Sequence, residues 1–203
     1  MGSLILPFAA ILILFFVAYD YTWHVAKKKN PGAFLKGCCA LVCMLVFVFR
    51  AEDISQIGNI IFTAAMVFVI AADVVICFRF KEGVIFFGLA HIMFAASFVS
   101  VKLSWMPSLA VFFVFIAIML YLVKRWKLLG YVSPVYLIYP VLLAVMVSLS
   151  VGVSGLLAIG AAAFAGSDLI LIYNRFVAKR PWIGRANLAL YFCALFILAI
   201  AYV

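Results

Sequence analysis

The chain has 203 residues, 71% hydrophobic, 17% aromatic and 10% charged, with a mean hydropathy of +1.37 and a formal net charge of +9. A water-soluble domain of this length needs a largely polar exterior and could not hide so much apolar surface, so the solvent is lipid. The cations stand in short clusters between apolar runs, with no aromatic and basic groove to receive a strand, and this argues against a nucleic-acid partner.

About 20 helical residues cross a hydrocarbon core of roughly 30 Å, so the chain has room for eight spans and no separate soluble domain. It reads as one all-α integral membrane domain over residues 1–203. The first apolar run lacks a preceding basic region and is taken as a span, not a cleaved signal. In chain order the spans are Leu4 to Trp23, Phe34 to Phe49, Ile57 to Phe78, Val84 to Val101, Met106 to Val123, Val132 to Leu149, Gly155 to Tyr173 and Ile183 to Tyr202. The second is short, as a tilted or partly buried helix would be.

Loops after spans one, three, five and seven carry Lys27, Lys28, Lys29, Lys36, Arg79, Lys81, Lys124, Arg125, Lys127, Arg175, Lys179, Arg180 and Arg185; the other side carries only Arg50 and Lys102. Thirteen cations against two place the odd-numbered loops in the cytoplasm and both termini outside. Asp73-Val-Val-Ile-Cys-Phe-Arg79-Phe80 at the end of span three echoes Asp168-Leu-Ile-Leu-Ile-Tyr-Asn-Arg175-Phe176 at the end of span seven. Four helices separate the copies, which suits a parallel four-plus-four repeat.

Of six acidic residues, Glu52, Asp53 and Glu82 fall in loops beside basic residues, while Asp20, Asp73 and Asp168 lie inside apolar spans. A charge deep in a bilayer costs at least about 2.5–3.5 kcal/mol, and such residues usually face the bundle interior and mark function. At about 1.5 Å per residue, Asp73 and Asp168 lie roughly 7 and 9 Å from the cytoplasmic ends of their spans, and His91 about 10–12 Å deep. Tyr136 and Tyr139 on span six, with Asn187 and Tyr191 on span eight, reach the same layer. The expectation is a polar pocket opening toward the inner leaflet. Asp20, among Tyr19, Tyr21, Trp23 and His24, reads equally as part of an interfacial aromatic belt, and His91 as a histidine bonding a neighbouring helix. Bridges from Asp73 to Arg79 and from Asp168 to Arg175 would be structural, but those spacings are too long for neighbours on one helix face. Two histidines and five scattered cysteines offer neither a zinc ribbon nor a three-histidine site, and no nucleotide loop or nucleophile elbow occurs.

The segment Gly160-Ala-Ala-Ala-Phe164-Ala-Gly-Ser167-Asp168, running on to Asn174-Arg175-Phe176, resembles the signature of the YhhN-like lysoplasmalogenase family, as do Asp73, Gly88-Leu89-Ala90-His91 and Lys36. Gly88 stands closer to its His than in that family's pattern. A second departure is Leu195 in Tyr191-Phe-Cys-Ala194-Leu195, where the family often carries Gln. The resemblance implies an enzyme that hydrolyses the vinyl ether of a lysophospholipid substrate, a lysoplasmalogen, to a fatty aldehyde and a glycerophospho-ethanolamine or -choline, with no metal and no cofactor. Such a reaction needs an acid to protonate carbon and an anion to steady the resulting oxocarbenium-like cation; two carboxyl groups in one enclosure can divide those tasks. Asp168 is then the expected acid, Asp73 its partner and His91 a relay to water, with Arg175 and Lys36 on the phosphate and Ser167, Tyr136, Tyr139, Asn187 and Tyr191 around the substrate. A proton-coupled or small-molecule transporter, or a lipid-binding protein without catalysis, are the competing readings. A carrier would want its site near the bilayer centre.

Overall fold

The computed structural model describes residues 4–101, 104–125 and 134–202, without the side chains of residues 123 and 134–137. Eight helices account for nearly all of it: α1 Ile5–Asp20, α2 Lys29–Arg50, α3 Ile57–Val75, α4 Phe80–Val99, α5 Trp105–Arg125, α6 Pro134–Val153, α7 Gly155–Tyr173 and α8 Pro181–Ala201. Seven contain stretches long and apolar enough to cross a membrane; the apolar stretch in α6, Ile138–Val153, is shorter. The chain is thus an all-α, multi-pass membrane protein. No strand occurs among the described residues.

Local chemistry sets the boundaries. The second span is not short: α2 begins at Lys29 and runs for 22 residues. Pro31 falls in its first turn, where a missing N–H breaks no helical bond. Ser154 caps α7 by accepting from the Leu157 N–H at 3.2 Å, the usual N-cap contact. Gly83 is required at the α3–α4 turn, since a Cβ there would stand 2.6 Å from the Ile76 Cα. Both α1 and α7 continue into one wide π-helical turn, Tyr21–Val25 and Asn174–Ala178. After each comes a lysine in the left-handed region, Lys27 at φ 55° and Lys179 at φ 51°, a conformation that commonly ends helices. The sequence echo therefore ends differently in its two copies, in a tight turn after α3 and a π turn after α7.

Helix packing gives the architecture. α2 packs on α3, α3 on α4, α4 on α6, α6 on α7, α7 on α8 and α8 back on α2, closing a six-helix ring. α1 lies outside against α2, and α5 outside against α6. Shifting every helix by four converts this set of pairs into itself. Close approach within the ring depends on small residues, as in other membrane bundles: a Cβ on Gly160 of α7 would meet the Leu198 backbone nitrogen of α8 at 3.1 Å.

The ring's two ends differ. At one end Phe47, Phe62, Phe94, Phe98 and Tyr202 fill the interior, with Phe62 stacked on Tyr202 at 4.2 Å and 11°. The Tyr202 hydroxyl donates to the Ser97 carbonyl at 3.0 Å. The opposite end, where α3 and α7 terminate, holds the buried ionisable residues.

Candidate active site

Asp73 lies in the last turn of α3 and Asp168 in the last third of α7. Both helices belong to the ring, both carboxyl groups are buried, and both line one cavity of about 180 Å³. The two costly acids thus turn inward to the same enclosure, as their sequence context predicts.

Their partners differ in kind. The Asp73 Oδ1 meets the Lys36 Nζ of α2 at 3.0 Å, and its Oδ2 accepts from the Tyr191 hydroxyl of α8 at 2.8 Å. Lys36 is itself 8% exposed and lies 5.9 Å from the Tyr191 ring centroid. The Asp168 Oδ2 accepts from the Tyr139 hydroxyl of α6 at 2.5 Å and lies 3.8 Å from His91 Nε2 of α4. The other ring nitrogen, Nδ1, is 2.5 Å from the Phe87 carbonyl oxygen. One acid is therefore charge-paired, while the other meets a phenol and an imidazole. Helix by helix the two sets correspond: α2 and α8 serve α3 as α6 and α4 serve α7.

Aromatic rings fix these groups. The Phe164 ring lies 5.1 Å from His91 and 5.2 Å from Tyr191, and the Tyr139 ring lies 5.3 Å from His91, all close to edge-on. Such contacts hold the rotamers on which the hydrogen bonds depend.

The remaining site candidates divide. Asn187 and Ser167 line the cavity, but the Ser167 hydroxyl donates to the Phe164 carbonyl one turn back at 2.7 Å, a local bond that leaves it no free proton. The Asn187 Oδ1 and the His91 Nε2 are buried without a hydrogen-bond partner. Lys36, expected among the phosphate cations, is turned inward to Asp73, because the extra N-terminal turns of α2 carry it away from the loop. Arg175 is outside this cavity; its guanidinium lies 4.8 Å from the Phe80 ring centroid. It lines a neighbouring cavity with His24, Lys179 and Arg180, and His24 borders both. The Tyr136 side chain lies outside the described residues. Neither Asp73–Arg79 nor Asp168–Arg175 pairs, and Asp20 accepts from Arg185 Nε at 2.9 Å with His24 at 3.7 Å. Leu195, at the family's Gln position, is fully buried in the core and does not line the cavity.

The sequence reading missed the walls Tyr19, Trp23, Phe87, Leu171 and Leu188. Tyr19 and Trp23 carried a signal, an aromatic cluster at the end of a span, which an interfacial belt explained equally well. Among the described residues no three His, Cys, Asp or Glu side chains gather to hold a metal ion.

Searches of curated proteins and of solved structures return no match. A model of the YhhN family matches residues 32–202, a stretch that includes both buried acids and all four of their partners, and the chain belongs to that family.

Proposed function

We propose that the protein hydrolyses the vinyl ether of a lysoplasmalogen, releasing a fatty aldehyde and a glycerophospho-ethanolamine or -choline, by acid–base chemistry between Asp168 and Asp73. The observation that carries this reading is that two acids from different helices line one cavity with unlike partners. Family membership is in keeping with it.

Asp168 takes the role of general acid. A carbonyl oxygen only accepts, so the contact of His91 Nδ1 with Phe87 assigns the ring proton to Nδ1 and leaves Nε2 as an acceptor facing Asp168. Tyr139 occupies Oδ2, which leaves Oδ1 to carry the acid's proton and deliver it to the vinyl carbon bearing the chain. The cation that forms on the ether carbon is steadied by Asp73, held in place by Lys36 and Tyr191. Water adds to that carbon with Asp73 taking its proton, and the hemiacetal collapses to aldehyde and glycerol hydroxyl.

The unpartnered Asn187 Oδ1 accepts from the free glycerol hydroxyl that a lysolipid has and a two-chain lipid lacks. The phosphate sits in the basic cavity of Arg175, Lys179 and Arg180, at the inner leaflet if the cation-rich loops are cytoplasmic. Positioned proton transfer contributes about 10²–10⁴-fold. Purified protein in detergent should therefore release aldehyde from vinyl-ether lysolipid but not from its saturated-ether analogue, and Asp168→Asn should lower the rate by that factor. Full turnover in both Asp168→Asn and Asp73→Asn would refute the mechanism. Lysolipid binding by wild type without aldehyde release would favour a lipid-binding protein instead.

A further inference from the structure

The acid pocket is too small for its proposed substrate. A pocket of about 180 Å³ is well below the several hundred Å³ typical of sites that enclose a whole drug-sized ligand. It accommodates the vinyl ether and glycerol, and the rest of the lipid must lie elsewhere. The cationic cavity at His24 suits a phosphate but not a hydrocarbon.

We propose that the groove between α4 and α6 holds the hydrocarbon chain of the lipid, with Tyr139 standing between it and Asp168. This rests on the hydrolase reading above for what happens at Asp168. The groove is a cavity of about 190 Å³ lined by Val84, Gly88 and Ile92 of α4 and Ile138, Tyr139 and Leu142 of α6, among others, with no charged residue. Tyr139 links it to the acid. The Tyr139 hydroxyl bonds Asp168 while its ring lines the groove. The chemistry demands such an arrangement, because the carbon that receives the proton is the one that bears the chain. The chain must therefore begin within a bond of the acid and run away from it through apolar surroundings.

Gly88 sets the depth of the groove. A Cβ there would stand 3.4 Å from Leu142 and 3.9 Å from Tyr139, which is ordinary contact. Alanine therefore fits, and anything longer enters the space the chain would use. Gly88 touches neither carboxyl group and does not line the acid cavity, so a side chain there weighs more on chain binding than on catalysis.

The test uses the full chain in detergent and in lipid nanodiscs, with a lysophosphatidylethanolamine carrying a photoreactive diazirine midway along its chain. Crosslinks should map to the α4–α6 groove in wild type and in Gly88→Ala. They should fall by at least about tenfold in Gly88→Leu, the effect of denying burial to two methylene groups. The same variant should raise KM for long-chain vinyl-ether lysolipid by a similar factor and affect a short-chain vinyl ether far less. Crosslinks that concentrate at the α1–α8 side, or spread over every lipid-facing helix as bulk bilayer lipid would give, overturn the proposal. Equal loss on short and long substrates in Gly88→Leu also overturns it. If wild type cleaves no vinyl ether but crosslinks still map to the groove and fall in Gly88→Leu, the hydrolase reading fails while the chain site stands.

Discussion

Removing Lys36 tests whether Asp73 is a charge-paired carboxylate, on which its role depends. At 3.0 Å and an effective dielectric of about 20, Coulomb attraction is ~5.5 kcal/mol, much of it offset by the cost of taking both charges out of water. Breaking such a pair from one side typically costs about 3–5 kcal/mol, because the surviving charge stays buried. Lys36→Met should therefore destabilise the fold by about 3 kcal/mol or more, measured by reversible unfolding in mixed micelles. In an Asp73→Asn background no carboxylate is left stranded, and the same change should cost about 1 kcal/mol or less. The resulting coupling of about 2 kcal/mol is well above the ~0.5 kcal/mol within which independent sites add. Additive losses in the double variant would refute the pairing and, with it, the division of labour between the two acids.

Four further outcomes follow from particular contacts. Tyr139→Phe keeps the ring and removes the hydroxyl from Asp168; steady-state kinetics should show kcat lowered by about 10–100-fold, the equivalent of one hydrogen bond to the carboxylate charge that develops as Asp168 gives up its proton. Asn187→Ala should raise KM for the lysolipid by about tenfold, about one lost hydrogen bond, with no penalty on a substrate whose glycerol hydroxyl is methylated. Gly160→Val forces a side chain against the α8 backbone at Leu198, and overpacking of this kind costs about 1–3 kcal/mol, readable as a lowered melting temperature. In the loop after α2, the Ser55 N–H and hydroxyl donate to Asp53 at 2.9 and 2.6 Å, holding its carboxyl below the usual carboxylate range. That turn is fully stabilised at neutral pH and loosens as pH falls through the lowered value; the Ser55 amide resonance should report the transition, and Asp53→Asn should abolish it.

The architecture was legible because lipid imposes a simple rule. Apolar runs marked every helix, seven of them with stretches of span length, and the cost of burying a carboxylate singled out Asp73 and Asp168. Depth along a helix is one coordinate, and it brought His91, Tyr139, Asn187 and Tyr191 to the right layer. Azimuth is the other coordinate, and it decides who meets whom. Lys36 read as a loop cation, yet α2 begins at Lys29 and its face turns Lys36 inward to Asp73. Arg175 read as a headgroup cation rather than a partner of Asp168, and at the π turn Asn174–Ala178 it lines a cavity separate from the acids. No residue pattern announces a π turn, which arises from how the end of α7 packs. Leu195 looked like a lost binding residue, yet its position belongs to the core.

The central claim is that Asp168 and Asp73 together protonate carbon and add water within one cavity. Running the purified protein on vinyl-ether lysolipid in heavy water and analysing the aldehyde by mass spectrometry tests it most directly. The account predicts one deuterium on the carbon next to the carbonyl at early times, before exchange through the enol adds more, with product formation collapsing in both Asp73→Asn and Asp168→Asn. Aldehyde without that deuterium, or labelled aldehyde formed at the wild-type rate by either variant, would contradict it.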